Sequence, residues 1–312
     1  SCAEFETGIC YPLTYKVYGI NKETTLTFLQ SRNLPTLHID TESENMDRIH
    51  SSRENKEKAS ARIYRSDGML SYSGEIKSLS GRGNSTWNEY EKKPYNIKLE
   101  QSGNLLGMGS AEKWVLLANA SDVSHMKNKL IYDYSQKVKM LYAPDSRWVD
   151  LYLNGNYAGL YLLCEKIEIH PERVNIGYEN TSLVSQEVEK RLIENSNPYI
   201  KTQSGQAIRI RESTVPEEKL LRLWQSAENA IMNENGIDPV TGRLWVDLID
   251  LESWAKKYLL EEFFGNGDGG YCSQFFYTTN DSDLIYAGPV WDYDFSMYYP
   301  NAFYVNREYA EA

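Results

Sequence analysis

Residues 265–296 read GNGDGGYCSQFFYTTNDSDLIYAGPVWDYDFS. One acid, Asp268, stands on a glycine-rich turn, and a second, Asp292, follows the apolar run LIYAGPV 24 positions later. Asp294 lies two residues on, among Trp291, Tyr293 and Phe295. An ionised carboxylate among aromatic rings is costly unless a cation or several donors meet it, so this stretch calls for a partner that carries positive charge. The preceding residues, DLESWAKKYLLEEFF (250–264), predict a helix. Asp250 is its N-cap, and Leu251, Trp254, Ala255, Tyr258, Leu259 and Phe263 form one apolar stripe.

Working outward, LPTLHID (34–40), ASARIYRSDG (59–68), GEIKSLSGRGNS (74–85) and KWVLLAN (113–119) read as strands, and PYNIKLE (94–100) alternates Tyr95, Ile97 and Leu99 against polar neighbours. Asn154-Gly155 between apolar runs predicts a hairpin. Ser121 or Asp122 offers an N-cap for a helix to about Met140, with Val123, Met126, Leu130, Tyr134 and Val138 on one face and Lys127 near its middle. A second helix is expected over 216–233. Residues 42–60 read as an exposed charged excursion, and 170–214 as loops with one strand at QAIRIRE. Residues 1–33 form a short β-rich leader, and 34–312 the main domain.

The chain has 312 residues, 41% hydrophobic and 25% charged, enough for a sizeable core. Its net charge of −11 argues against a nucleic-acid footprint. No apolar run is long enough to predict a membrane span. Cys2, Cys10, Cys164 and Cys272 lack the spacing of a structural zinc site. Cys2 and Cys10 are expected to pair if the protein is secreted, and the Ser1-Cys2 start points to trimming at a signal or lipoprotein cleavage point, with a lipid anchor as one outcome.

An acid on a loop after a helix, followed by an acid at the end of a strand, is the relative layout of a protein-kinase catalytic aspartate and metal-binding aspartate. The sequence signatures of ordinary kinases, GxGxxGxV, HRD and DFG, are missing. The bland alternative makes Asp268 a turn residue and Asp292 a solvent-edge acid.

Five motifs in order tip the balance: GRGNSTW (81–87), KKPYNIKL (92–99), KWVLLANASDVSHMKNKL (113–130), VDLYLNGNYAGLYLLCEKIEI (149–169), and NGD (266–268) with GPVWDYDFS (288–296). Together they resemble the CotH family of spore-coat kinases and related surface proteins. The resemblance implies an α+β, atypical two-lobed kinase-like fold, with a mainly β N-lobe (about 34–168) and a mainly helical C-lobe (about 169–312). It also implies ATP with Mg²⁺ or Mn²⁺, and a basic, Ser-rich extracytoplasmic or spore-coat protein as substrate.

Under that resemblance Asp268 is the catalytic acid, Asp292 a metal ligand and Asp294 a second candidate ligand. Arg82, Asn84, Ser85, Lys93 and Lys98 are the phosphate-facing set. Where many members carry Asn after the catalytic Asp, this chain has GGYCSQ, which leaves Ser273 or Gln274 for the second metal position. Lys127 stands where Arg is expected before Asn128, and is read as a cation aimed at phosphate or at a carboxylate such as Glu165. Two other readings stay open: a noncatalytic surface protein, for which the altered GGYCSQ loop speaks, and a carboxylate-pair hydrolase built on Asp268 with Asp292 or Asp294.

Overall fold

The computed structural model describes residues 10–28 and 33–297. These divide into two compact units, one made of the residues up to Ser121 together with Ser146–Glu165, the other of Asp122–Asp145 with the residues from Lys166 onward.

The first unit opens on an antiparallel hairpin, β1 (Cys10–Val17) with β2 (Ile20–Thr27), turning at Tyr18-Gly19. The proposed Cys2–Cys10 pair reaches outside the described residues. Seven strands then make a closed barrel: β3 (Thr36–Thr41), β4 (Lys56–Tyr64), β5 (Leu70–Gly81), β6 (Tyr95–Asn104), β7 (Ser110–Leu117), β8 (Ser146–Leu153) and β9 (Asn156–Glu165). Their order is β3-β4-β5-β6-β7-β9-β8, and parallel pairing of β3 with β8 closes the ring. Alternation dictates the inside. Tyr95, Ile97 and Leu99 of β6 are buried, as are Leu37 and Ile39 of β3 and Val149 and Leu151 of β8. Asn154 and Gly155, both with positive φ, turn β8 into β9 as the sequence predicts. Two short helices, α1 (Asp47–Ser51) and α2 (Ser85–Glu89), interrupt the barrel strands.

The second unit holds a five-stranded antiparallel sheet, β11-β12-β10-β13-β14, from β10 (Ser182–Gln186), β11 (Tyr199–Lys201), β12 (Ala207–Ser213), β13 (Gln274–Thr278) and β14 (Tyr286–Ala287). Its helices are α3 (Lys127–Lys137), α4 (Glu189–Glu194), α5 (Glu217–Met232) and α6 (Leu251–Phe264). The core joins Val184, Ile208, Leu220, Trp224, Phe276 and Ile285. Asp250 caps α6, its side chain accepting the Ser253 amide at 2.9 Å.

The expected two-lobed kinase-like fold with a mainly helical C-lobe does not hold. The described chain is mainly β, with a closed seven-stranded barrel and six α-helices. Part of the reason lies in 170–214: the strand expected at QAIRIRE is β12, but the stretch expected as loops also supplies β10 and β11. The strand SLVSQ buries serine as well as leucine and valine, so no polar alternation marks it. The charged excursion also ends early: Lys56 starts β4, and Glu57 is buried, accepting the Ser43 amide at 2.7 Å.

The predicted helix from Ser121 begins only at Lys127, and its buried residues are Asn128, Ile131, Tyr132 and Ser135. Val123, Met126, Leu130 and Tyr134, the expected core stripe, are exposed. In α6 the buried residues are likewise Lys257, Leu260 and Phe264, while Leu251, Tyr258, Leu259 and Phe263 are exposed.

In the barrel unit, His38 of β3 is 1% exposed and stacks on Tyr152 at 4.8 Å, and its Nε2 has no hydrogen-bond partner. Burial, then the positive charge of Arg62, hold its pKa down at about 4 against an ordinary 6.5. Between these values the unfolded chain binds a proton that the folded protein does not. Stability is therefore lost as pH falls through the window, by up to about 1.4 kcal/mol per pH unit from this group. His38→Phe retains the ring stack and removes that contribution, so guanidinium denaturation across the window should show a shallower acid-side decline than for the parent.

Candidate carboxylate site

Helix α6 stops at Gly265, whose left-handed φ of 54° lets its N–H reach the Glu262 carbonyl. In the loop that follows, Asn266 Oδ1 accepts the Asp268 amide at 3.2 Å, and the Asp268 carbonyl accepts the amides of Tyr271 and Cys272. The turn thus presents the Asp268 side chain at a fixed place. Burial raises its pKa, the negative charge of Asp292 adds to that, and a hydrogen bond from the Cys272 thiol opposes both. Cys272 itself is buried, and burial with the neighbouring Asp268 and Asp292 pushes its thiol up to about 12, so it stays a protonated donor.

Beyond Gly288-Pro289, a cis peptide, residues 290–297 form no strand, contrary to the sequence expectation for Asp292. Val290, Trp291 and Tyr293 are buried, with Trp291 stacked on Tyr132 at 5.9 Å. Asp292 takes a left-handed φ of 66°, and Ser273, just before β13, one of 56°. The Ser273 hydroxyl donates to Asp292 Oδ2 at 2.9 Å. Two non-glycine residues in a sparsely populated region of backbone space, bonded to each other, mark a place where surrounding structure overrides local preference.

Asp292 and Asp294 do not share a face. Asp294 is buried, with Oδ1 accepting from Asn128 Nδ2 and its carbonyl 3.4 Å from Lys127 Nζ. Asn128 Oδ1 in turn accepts the Tyr293 amide at 2.9 Å. Asp122 fixes the start of α3 by accepting the amides of Ser124 and Lys127. Gln274, read as a metal candidate, is buried, with Oε1 on Lys257 and Nε2 on the Cys272 carbonyl.

Lys257 also donates to Glu261 Oε1, which accepts the Tyr293 hydroxyl at 2.6 Å. Glu261 Oε2 accepts from Asn266 at 2.6 Å. Burial lowers the Lys257 pKa, and the Glu261 charge opposes that shift. Sequence reading missed Cys272, Asn128 and the Lys257–Glu261 pair. The i,i+4 Lys–Glu spacing on α6 was the one legible trace, and such pairs usually lie on the surface.

The residues expected to face phosphate, Arg82, Asn84, Ser85, Lys93 and Lys98, belong to the barrel unit. Asn84 Oδ1 accepts from Arg53, the Arg82 amide donates to the Pro94 carbonyl, and Ser85 opens α2. Lys93 Nζ donates to the Trp87 and Tyr90 carbonyls at the end of α2, at 2.6 and 2.5 Å. Lys98 lies further along β6, 3.6 Å from Glu112. Glu165 ends β9 opposite Trp114. Neighbouring Lys92 is more enclosed: it donates to the Ala118 and Leu160 carbonyls, and burial lowers its pKa to about 8.

Two acids on separate loops, one held by a hydroxyl and one by a thiol, define a carboxylate site of hard oxygen donors. The profile of the family described as CotH kinase protein matches residues 79–311, most of the chain, so the chain belongs to the CotH family. A comparison with curated protein sequences returns no match.

Two outcomes follow from the geometry. Asn128→Leu removes the acceptor of the buried Tyr293 amide and one donor to the Asp294 carboxylate, and should cost about 2–4 kcal/mol in chemical denaturation. Asp268→Asn should do the reverse. An acid whose folded pKa is raised destabilises the native state above that pKa and is neutral in effect below the unfolded value. Calorimetry should therefore find Tm raised by about 2 °C or more near neutral pH, with the gain gone once both states are protonated in acid.

Proposed function

We propose that the protein is a divalent-metal-dependent kinase that transfers the γ-phosphoryl group of ATP to a serine or threonine hydroxyl of another protein. The observation that carries this reading is the pairing of Asp268 with Asp292: two nearby acids, one with a raised pKa, the other in a strained backbone conformation and oriented by Ser273. The donor set suits Mg²⁺ or Mn²⁺, because Mg²⁺ is commonly held by one or two carboxylates together with substrate phosphates. Asp292 is the residue that would hold it, with Ser273 as the neighbouring oxygen. When bound, the cation supplies neutralisation and alignment of the phosphates.

The chain's own residues supply the rest. Asp268 takes the proton of the attacking hydroxyl, and its raised pKa brings it nearer the pH at which a general base works best. The Cys272 thiol holds the Asp268 carboxyl in one orientation. Asn128, which binds both the Tyr293 amide and the Asp294 carboxylate, fixes the loop on which Asp292 sits. Lys127 is the proposed phosphate contact within this unit.

A basic, serine-rich partner suits a chain with a net charge of −11 and a pI near 5.0. Family membership supports a spore-coat or other extracytoplasmic setting. Among the described residues no helix is long and apolar enough to cross a membrane.

A thermal-shift titration with ATP plus Mg²⁺ or Mn²⁺ tests the reading. Stabilisation is expected in the parent and in Asp268→Asn, and should be lost in Asp292→Asn. Transfer of labelled phosphate to a serine-rich peptide should fall about 10²-fold or more in Asp268→Asn. No nucleotide-dependent shift in the parent at about 10 mM ATP, some tenfold above the upper end of typical KM values, would sink the proposal.

A further inference from the structure

A cavity of about 240 Å³ opens at the end of β13 opposite to Ser273 and Asp292, about 13 Å along the strand. Three of its walls carry donors. Lys219, Arg222 and Ser226 of α5 line it at helical positions i, i+3 and i+7, which fall on one face. Arg243 enters from the turn after Asp238, and Thr279 and Ser282 come from the β13–β14 connection. Leu220 and Leu223 supply apolar surface. One carboxylate, Asp283, lines the cavity, 4.0 Å from Lys219. Three cations against one acid is a local reversal of charge in a chain whose net charge is −11.

The existing partners of these cations are weak competitors. Arg222 pairs with Glu218 at 2.7 Å, but both side chains are well exposed, and such pairs contribute little. Arg243 gives Nη2 to the Asp247 carbonyl, out of five N–H donors. The wall is also built in advance. Asp238 is 1% exposed and accepts the Ser226 hydroxyl at 2.6 Å, the Thr241 hydroxyl at 2.5 Å, Asn229 Nδ2 at 3.1 Å and the Val240 amide at 3.1 Å. The turn that bears Arg243 is thereby fastened to the helix that bears Lys219 and Arg222.

We infer that this cavity is a docking subsite for a phosphorylated serine or threonine side chain of a peptide. A phosphoryl group carries close to two negative charges and three acceptor oxygens, which matches three cations and the hydroxyls of Thr279 and Ser282 around a small space. A carboxylate would satisfy fewer of them. Binding here does not depend on catalysis by Asp268. Only its use, retention of a substrate already phosphorylated at another residue, rests on the kinase reading.

Fluorescence anisotropy on the full chain, with a labelled peptide containing one phosphoserine and its unphosphorylated twin, tests the inference. The phosphorylated peptide should bind at least about tenfold more tightly, and inorganic phosphate should displace it at higher concentration. Arg222→Gln with Arg243→Gln should abolish the preference at an unchanged melting temperature, whereas Asp268→Asn should retain it. Equal affinity for the two peptides, or a preference that survives in the double variant, overturns the proposal. So does loss of preference in Asp268→Asn, which would place the phosphoryl group at the carboxylate pair. If inorganic phosphate binds as tightly as the phosphopeptide, the peptide contributes nothing and the docking role is overturned.

Discussion

An ion pair buried inside a protein has to have its remaining protons and lone pairs met, because the loss of solvation otherwise exceeds the attraction between the charges. Lys257 and Glu261, one helical turn apart on α6, impose that demand on everything around them. The Lys257 ammonium reaches Gln274 as well as Glu261, and the Glu261 carboxylate takes the hydroxyl of Tyr293 and the amide of Asn266. Those partners lie on three different segments: the start of β13, the VWDYDFS stretch, and the glycine-rich turn that bears Asp268. A single buried pair thus fastens to one helix the three segments that form the site. Backbone bonds complete the join, with the Gly267 amide on the Phe295 carbonyl and the Met297 amide on that of Phe264.

Three acids of the second unit, Asp122, Asp238 and Asp268, separate into two kinds. Asp238 and Asp122 accept several hydrogen bonds each, and both are held below the usual carboxylate range because those bonds outweigh burial. They are structural. Asp268 has the opposite sign, since burial and a like charge outweigh the one thiol that donates to it. A fold able to surround carboxylates with donors has left this one short of them, and the strained φ of Asp292 and Ser273 lies in the same place. Backbone strain and a carboxylate short of donors coincide here, and such a coincidence is the mark of a functional site.

Much of the barrel was legible because local patterns and turns specify it. The alternation in PYNIKLE and the Asn154-Gly155 turn required no knowledge of distant residues. Closure did, since β3 pairs in parallel with β8 more than a hundred positions away. Helices α3, α5 and α6 are legible in the sequence and the short α1, α2 and α4 are not; the inner faces of α3 and α6 escape it for one reason. Asn128 and Ser135 in α3 and Lys257 in α6 are polar residues facing inward, while Leu130, Tyr134, Leu259 and Phe263 face out. A method that equates apolar with buried must fail where the inner face of a helix carries the hydrogen bonds that hold a site.

The same reasoning explains why Asp292 and Asp294 looked alike. Spacing of two implies a shared face only in a strand, where side chains alternate, and the stretch from Val290 onward is not one. The left-handed turn at Asp292 breaks the alternation, sending its carboxylate to Ser273 and leaving Asp294 to Asn128. Trp291 and Tyr293 are then the fixed points rather than bystanders: both are buried, one against Tyr132 and the other with its hydroxyl on Glu261. Aromatic rings that would ordinarily exclude charge here define where each charge can sit. The acid between them accepts one hydrogen bond from a hydroxyl and retains its capacity to accept more.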